Sequence, residues 1–409
     1  MKRPELVRGS LTIAVAVALI LTVTTASAAA DPVGDVVGVG DNTTQDVMNG
    51  IGDAIGLGIV GSYNATNPAS GAVRDAISPK AGCTMTRPNT IGDGITALRQ
   101  SSGDSGVIAF PDQTDLPEPG CVDFARASIL PSGNQSNTGK YVFIPFAEDG
   151  VTFASQHYGD ATADNYNHLT YDAANAYSGP GQLQRLYRDG LPVTVGGTTY
   201  DPQCNATPCA GGATPIHLYL PAPQASYTFS IRGHWMTAMG MSGTLPTWVH
   251  DRAWTATTYG GTPVQENDGT VLQNDTYGIV PFSIGSWAGQ RNGHNDRRHG
   301  AHLHSYVNIA VTPNATANPL TGNLPTVETG TLNLSFPALR HLVYNVVEWA
   351  RVTSGNAKYD AQLYSVFGPG QGVCGKSAVI LNHGFATVRP AVWGYSCGSI
   401  TDSMRASFP

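Results

Sequence analysis

The alternation of strand-like and helix-like segments is the feature that most constrains this chain. Buried-strand patterns occur in DVVGVG (35–40), KYVFIPFA (140–147), YGIVPF (277–282) and HLVYNVVEW (341–349), and helical spacing follows the first and third of them. In PIHLYLP (215–221) apolar residues alternate with the period of a half-buried strand. Alternation of this kind predicts an α/β fold with largely parallel sheets.

The N-terminal 30 residues have the pattern of an export signal. Basic residues precede an apolar run from Leu11 to Val23, and small residues follow up to Ala30. The run is short for a membrane span, and no cysteine lies near the cleavage site to carry a lipid anchor. We therefore expect a secreted, soluble protein, which a partner could still tether to the cell envelope. At 409 residues the chain is long for one core, so two domains are expected.

Composition and motifs narrow the range of functions. The net charge is −7, and the Lys and Arg residues are sparse and scattered, so nucleic acid is not an expected partner. The chain has no G-x-S-x-G, no H-E-x-x-H and no Walker-type glycine loop. The carboxylate pair Glu148–Asp149 would point to opposite sides of an extended chain, so we expect a turn there. The sequence therefore predicts a non-catalytic protein without a cofactor.

Six cysteines in an exported chain suggest three disulfides. They fall along the chain as neighbouring pairs: Cys83 with Cys121, Cys204 with Cys209, and Cys374 with Cys397. Six cysteines allow about fifteen connectivities, so other pairings and free thiols stay open at this point. No C-x-x-C spacing occurs, and a zinc site is not favoured.

Polar residues open three helical segments, each where a strand has just ended. They are Asn42, Thr43 and Thr44 in VVGVGDNTTQDVMNG (36–50), Thr90 in TRPNTIGDGITALRQ (86–100), and Ser226, Tyr227 and Thr228 in PQASYTFSIRGHW (223–235). A helix N-terminus has unpaired N–H groups that favour an anion or a polar oxygen, and open α/β sheets bind ligands at such junctions. Ordinary helix capping is the alternative at each. Asp41 repels a fully ionised ligand but tolerates one that still carries a proton.

The segment GHNDRRHGAHLHS (293–305) contains the densest group of ionisable residues. His302 and His304 would share one face of a strand, and His299 lies close by, so a metal site is conceivable. No Asp, Glu or Cys follows in this run, and histidines on a polar loop are more often solvated. We therefore expect no functional metal there.

Taken in order, these segments resemble the phosphate-binding-like branch of the type 2 periplasmic solute-binding proteins of ABC transporters, especially a secreted actinobacterial group. The resemblance implies two α/β lobes joined by two crossings near 146–152 and 332–340, with the ligand in the cleft between them. Lobe I would comprise 31–147 plus 332–409, and lobe II 148–331. Each neighbouring cysteine pair then lies within one lobe, as a hinge requires. The segments that carry the resemblance are VGVGDNTTQDVMNG, TRPNTIGDGITAL, CVDFARAS, VFIPFAEDGVTFA, NHLTYDAANAY, PIHLYLPAPQASYTFSIRGHW, YGIVPFSIGSWAGQ and LRHLVYNVV.

The resemblance also implies a set of ligand residues in this cleft. Thr90 stands beside Ile91, where the family has serine, and Ser128 stands where phosphate binders have an acidic residue. Tyr227 replaces the glycine of a Ser-Gly-Thr motif. The arginine that the family has upstream of this motif is absent, but Arg232 lies downstream of it and Arg126 lies within the CVDFARAS segment. The full set is Asn42, Thr43, Thr44, Thr90, Ser128, Ser226, Thr228 and Arg232.

These observations predict a secreted, monomeric solute-binding protein that holds a small oxyanion, phosphate-like, or another polar solute, with an ABC permease as a candidate partner. One alternative is a secreted surface or interaction protein that keeps the fold without serving a transporter; the missing lipid-anchor cysteine and Tyr227 favour it. Another is a secreted metal-dependent hydrolase that uses the His-rich segment.

Overall fold

The structure is a computed structural model, and it describes residues 31–131, 133–157, 165–172, 181–223, 230–308, 318–321, 330–336 and 339–408. The predicted export signal (1–30) and the predicted ligand residues Ser226 and Thr228 lie outside the described residues. Within the described residues, the structure has no helix that is both long and apolar enough to span a membrane.

The strands of the described residues are β1 Gly34–Gly40, β2 Gly58–Ser62, β3 Ala76–Ile77, β4 Met85–Thr86, β5 Phe124–Ala127, β6 Tyr141–Ser155, β7 Thr170–Tyr171, β8 Val193–Val195, β9 Thr198–Asp201, β10 Thr214–Pro215, β11 His217–Tyr219, β12 Val249–His250, β13 Gly278–Ser283, β14 His302–His304, β15 Val307–Asn308, β16 Arg340–Glu348, β17 Ala386–Thr387 and β18 Arg405–Ala406. The α-helices are α1 Gln45–Ile55, α2 Ile91–Ser101, α3 Gln182–Gln184, α4 Ile231–Ala238, α5 Ile284–Arg291, α6 Trp349–Val352, α7 Ala361–Phe367, α8 Ser377–Asn382 and α9 Pro390–Trp393.

One mixed sheet runs through both halves of the molecule. Its strand order is β12-β11-β13-β6-β16-β5-β1-β2. Strands β1, β2 and β5 are parallel at one end, and β11, β12 and β13 are parallel at the other. The central strands β6 and β16 are antiparallel to each other and to their outer neighbours. The α/β prediction is therefore confirmed. The prediction of a largely parallel sheet is wrong for the centre of the sheet, because β6 and β16 run in opposite directions there.

The buried apolar residues form two clusters on either side of these central strands. Along β6, Ala147 belongs to the first cluster and Val151 to the second. Between the last strands, Phe336 belongs to the second cluster and Leu342 to the first. Two separate cores support the predicted division into lobe I and lobe II, which we propose and use below, although Leu332 at its boundary packs in the second core.

The turn expected at Glu148–Asp149 is wrong, because β6 continues as a single strand from Tyr141 to Ser155. The two side chains have separate partners. Glu148 forms two hydrogen bonds with Arg389, at 2.9 and 2.6 Å, and Asp149 accepts the Ser283 hydroxyl at 2.5 Å. Paired in this way, both carboxylates are fully buried, so the strand can pass from one core to the other.

The half-buried strand expected at 215–221 is also corrected. Both faces of β11 and its flanking residues are buried: Ile216, Leu218 and Leu220 on one side, His217 and Tyr219 on the other. The strand lies between β12 and β13 in the sheet, and both sets of side chains are covered because Leu218 and Tyr219 alike pack in the lobe II core. His217 is accommodated because its Nδ1 bonds Asp275 at 2.8 Å.

The disulfide pairing between neighbouring cysteines is confirmed. The sulfurs of Cys83 and Cys121, of Cys204 and Cys209, and of Cys374 and Cys397 are bonded. The pairs are separated by 38, 5 and 23 residues along the chain. Each bond closes a loop within one of the proposed lobes, so no disulfide restrains the boundary between them.

Candidate functional site

The contacts across the boundary between the lobes include polar ones. Asn267 of lobe II donates from Nδ2 to the Thr43 hydroxyl of lobe I at 3.0 Å. Arg297 of lobe II lies with Nη2 2.9 Å from Asp46 Oδ2 in α1. A groove of about 580 Å³ follows this boundary. It is lined by residues 66–68 and 71–73 of lobe I and by residues within the segments 262–271 and 295–299 of lobe II. The described residues thus form a closed cleft with a groove beside it.

The start of α1 forms the lobe I wall of this cleft. Gly40 ends β1 at φ 91°, a conformation that glycine adopts without strain. A Cβ at Gly40 would lie 2.8 Å from the Cα of Gly94, so the absence of side chains lets β1 and α2 approach closely. The predicted ligand residues Asn42, Thr43 and Thr44 follow directly and are buried together.

Asp41 lies at this helix start and is fully buried. Its Oδ1 accepts the Thr43 N–H at 3.2 Å, and its Oδ2 accepts the Thr44 hydroxyl at 3.1 Å. Ser128, a predicted ligand residue, directs its hydroxyl at the same Oδ1 from 3.5 Å. Burial raises the pKa of Asp41 to about 6, while the charge of Arg126 and these hydrogen bonds oppose the rise.

Arg126 supports the end of β1 from within lobe I. Its Nε donates to the backbone oxygen of Asp41 at 3.2 Å, its Nη1 to the Ser62 hydroxyl at 2.9 Å, and its Nη2 to the backbone oxygen of Gly40. Burial lowers its pKa to about 10, although the Asp41 charge opposes this. The guanidinium therefore compensates part of the buried charge behind the cleft wall.

The start of α2 is capped by the chain itself. The Thr90 hydroxyl accepts the Asp93 N–H at 3.3 Å, and Asp93 Oδ2 accepts the N–H groups of Asn89 and Thr90 at 3.0 Å. Arg74 pairs with the same oxygen at 2.5 Å. The predicted ligand residue Thr90 is thus an N-cap in a capping box. Its neighbour Ile91 is fully buried in the lobe I core.

The start of α4 forms part of the lobe II wall. Ser230 is its N-cap and accepts the Gly233 N–H at 3.3 Å. The carboxyl of Glu266 lies near this helix start, where the N–H groups of Arg232 and Ile231 and the Ser230 hydroxyl favour its charged form. Burial first, and then the charge of Asp41, raise the pKa of Glu266 to about 8.

Arg232 is predicted to bind ligand, but its resolved contacts lie within lobe II. Its Nη1 donates to the backbone oxygen of Pro221 at 2.5 Å, and the same nitrogen lies 3.7 Å from Asp251. Burial lowers its pKa, although the charges of Asp251 and Glu266 oppose this. The guanidinium therefore stabilises the segment that follows β11.

The start of α5 also carries a carboxylate. Asp149 accepts the N-cap hydroxyl of Ser283 at 2.5 Å and the Gly285 N–H at 2.8 Å. Asn267 Oδ1 accepts the Ser283 N–H at 2.9 Å. Burial raises the pKa of Asp149 to about 6. A carboxyl group therefore lies at or beside the start of each of the helices α1, α2, α4 and α5, namely those of Asp41, Asp93, Glu266 and Asp149.

The His-rich segment forms the strand that the sequence predicts, β14. Nowhere in the described ranges do three His, Cys, Asp or Glu residues come together in a group that could hold a metal ion. His304 Nε2 bonds Ser155 at 2.7 Å, and its ring stacks on Phe153. His299 lies 3.8 Å from Asp268.

Comparison with known proteins adds a fold likeness only. Neither a protein-family profile nor a curated protein matches the chain. Several solved structures are similar. The first is described as a putative phosphate ABC transporter substrate-binding protein with bound phosphate from Clostridium perfringens; it is 10% identical with a TM-score of 0.43, and the match covers 87% of this chain and 99% of that one.

A second similar structure is described as a high-affinity periplasmic phosphate-binding protein, PfluDING, bound with phosphate. It is 12% identical with a TM-score of 0.41, and the match covers 87% of this chain and 91% of that one. A third, PstS from Borrelia burgdorferi, is 11% identical with a TM-score of 0.34, covering 87% and 98%. The first two of these three structures are thus described as proteins with bound phosphate.

Proposed function

We propose that this protein is a non-catalytic solute-binding protein whose two lobes close on one small polar solute. The observation that carries the proposal is the joining of two separate cores by the antiparallel strands β6 and β16, with buried polar walls where the lobes meet. Two strands that connect two lobes form a natural hinge, because the lobes can rotate while each core stays intact.

The walls of the cleft are suited to holding a ligand rather than transforming one. The predicted ligand residues Asn42, Thr43 and Thr44 are buried where Thr43 meets Asn267 of lobe II, and Ser128 contacts Asp41 behind them. These groups supply hydrogen bonds and shape, and the Thr44 and Ser128 hydroxyls are held by the Asp41 carboxylate. A closed cleft that excludes water strengthens such polar contacts.

Export of the protein and an ABC permease as the partner remain parts of this proposal, and a phosphate-like oxyanion is one candidate solute. The oxyanion version requires a ligand that still carries a proton, because Asp41 lies at the helix start that would face it. The proton of a singly protonated oxyanion would be donated to the Asp41 carboxylate.

Binding and closure can be tested together. The full-length secreted protein is unfolded, freed of small molecules and refolded, and then thermal unfolding and small-angle X-ray scattering are measured with a panel of anionic, neutral and cationic metabolites. We expect at least one class to raise the unfolding temperature and to decrease the radius of gyration. A panel without effect on either, together with no small molecule released from natively secreted protein on denaturation, would contradict the proposal.

A further inference from the structure

Carboxylates of the chain itself make the cleft walls unfavourable to an external anion. An anion at a helix start is held by the unpaired backbone N–H groups and the positive end of the helix dipole. At α2 the N-cap N–H of Thr90 already bonds Asp93, and at α5 the Gly285 N–H already bonds Asp149. At α1 Asp41 accepts the N–H of Thr43, just before the N-cap Thr44, and at α4 the carboxyl of Glu266 lies near the N–H groups of Ile231 and Arg232. A carboxyl group of the chain thus lies at or beside each of these helix starts.

Two buried acceptor atoms beside the contact between the lobes lack a partner. Asn42 is the residue before Thr43, and Glu266 is the residue before Asn267. Neither Asn42 Oδ1 nor Glu266 Oε2 has a hydrogen-bond partner among the described residues. Asn42 is 2% exposed and Glu266 is 5% exposed. A buried acceptor left without a donor is costly, so native structures usually satisfy it with protein, water or ligand. Both atoms therefore need a hydrogen-bond donor. Asn42 belongs to lobe I and Glu266 to lobe II.

The charges around these atoms favour a cationic donor. Asp41 and Glu266 repel each other across the boundary, since the Asp41 charge raises the pKa of Glu266. Arg126 compensates Asp41 from behind, and Arg232 contributes charge near Glu266, but Glu266 forms no ion pair within the described part of the chain. A cation bound near the two carboxyls would relieve this repulsion.

We infer that the cleft is specific for a small solute bearing an ammonium or guanidinium group, which donates hydrogen bonds to Glu266 of lobe II and to the Asp41–Asn42 segment of lobe I. This inference rests on the proposed function and names its ligand class. The access route is the groove between the lobes, since Gln265 and Asp268, the residues that flank Glu266 and Asn267, line it.

The test compares solutes of matched length and different charge by titration calorimetry on the refolded full chain. The probes are putrescine, agmatine and ethanolamine as cations, 1,4-butanediol and ethylene glycol as neutral analogues, and succinate, glycolate and inorganic phosphate as anions. We expect a cation to bind at least about tenfold more tightly than its neutral analogue, the effect of one charge-assisted hydrogen bond. We expect its affinity to increase with pH through about 8, as Glu266 loses its proton.

Two variants examine the assignment of residues. Glu266→Gln should weaken the cation about tenfold or more and flatten the pH dependence, and Asp41→Asn should weaken it in the same direction. Glu118→Gln, a substitution of the same kind at an exposed position, should bind as the wild type does. Tightest binding by phosphate, another anion or a neutral solute would overturn the inference while leaving the proposed function intact. Absence of binding by every class would contradict both.

Discussion

The side chain of Asn267 joins two helix starts that belong to different lobes. Its Nδ2 donates to the Thr43 hydroxyl at the start of α1, and its Oδ1 accepts the Ser283 N–H at the start of α5. Its backbone oxygen accepts Gln290 Nε2 at 2.9 Å, which fixes it within lobe II. Because Asn267 and Thr43 are both buried, water cannot readily replace this hydrogen bond while the cleft is closed.

Replacing Thr43 with Val is expected to shift the protein toward an open cleft. The change keeps the shape of the side chain but removes the acceptor of Asn267 Nδ2, which costs about 1 kcal/mol of closed-state stability. Small-angle scattering without added solute should show a larger radius of gyration than in the wild type. Thr257→Val, at an exposed loop position, is the matched control. Equal radii for Thr43→Val and the wild type would show that the bond does not hold the lobes together.

Asp46→Asn should destabilise the closed cleft, and a high salt concentration should have the same effect on the wild type. Asp46 and Arg297 form a 2.9 Å ion pair between the lobes, and both side chains are partly accessible to solvent. Ions screen such pairs, so raising the salt concentration should open the wild type and leave the variant almost unaffected. The measurement is the radius of gyration across a salt series. Asp53→Asn, on the exposed side of the same helix, should respond as the wild type does; a wild type insensitive to salt would contradict this expectation.

The unliganded protein should lose stability as the pH rises from about 5 to about 8. Glu266 has a folded-state pKa of about 8 against 4.5 for an ordinary glutamate, so between these values the folded state binds more protons than the unfolded state. The free energy of unfolding therefore falls with pH, by a few kcal/mol over that range. Urea unfolding at a series of pH values measures this decline.

Glu266→Gln should remove most of that decline, because the amide carries no proton to lose. Asp41→Asn should reduce it by a smaller amount, since the Asp41 charge is the second cause of the raised pKa, after burial. A wild type whose unfolding free energy does not fall between pH values of about 6 and 8 would argue against a buried, repelled Glu266.

Removing the Cys83–Cys121 bond should destabilise the protein more than removing Cys204–Cys209. The first closes 38 residues and the second 5, and loop-closure entropy gives costs of about 4 and about 2 kcal/mol. Double Cys→Ser variants, compared by thermal unfolding, provide the measurement. Since both bonds lie within a lobe, neither variant should change the radius of gyration below its unfolding temperature. A change there would place a disulfide at the hinge.

Local patterns predicted the lobe I wall well. The start of α1 at Asn42–Thr44 could be identified because a β-branched strand, a glycine and hydroxyl residues follow one another directly. Asp93 lies three residues after Thr90, the spacing of a capping box, and could have been predicted from that alone. The prediction that Thr90 binds ligand did not take Asp93 into account. The Asp93 carboxylate accepts the N–H of Thr90, the N-cap residue of α2.

The lobe II wall could not be predicted in the same way. Asn267 contacts Thr43 across 224 residues of sequence, and Glu266 reaches α4 from a segment without helical or strand periodicity. No local pattern reports such a contact, because it forms only when both lobes are folded and closed. The side chain of Arg232 illustrates the same point: its charge suggested a ligand role, whereas its folded surroundings direct it at Pro221.

The pairing of β6 has a consequence for the order in which the polypeptide folds. β6 is 15 residues long, and its partners β13, β14, β16, β17 and β18 all follow it along the chain. As the ribosome releases the chain from its N-terminus, β6 emerges without a neighbour until residue 278 has been made. Contacts this distant in sequence form slowly. The sheet that joins the two lobes can therefore form only after residue 278 has been synthesised, whereas β1, β2 and β5 can pair with one another much earlier.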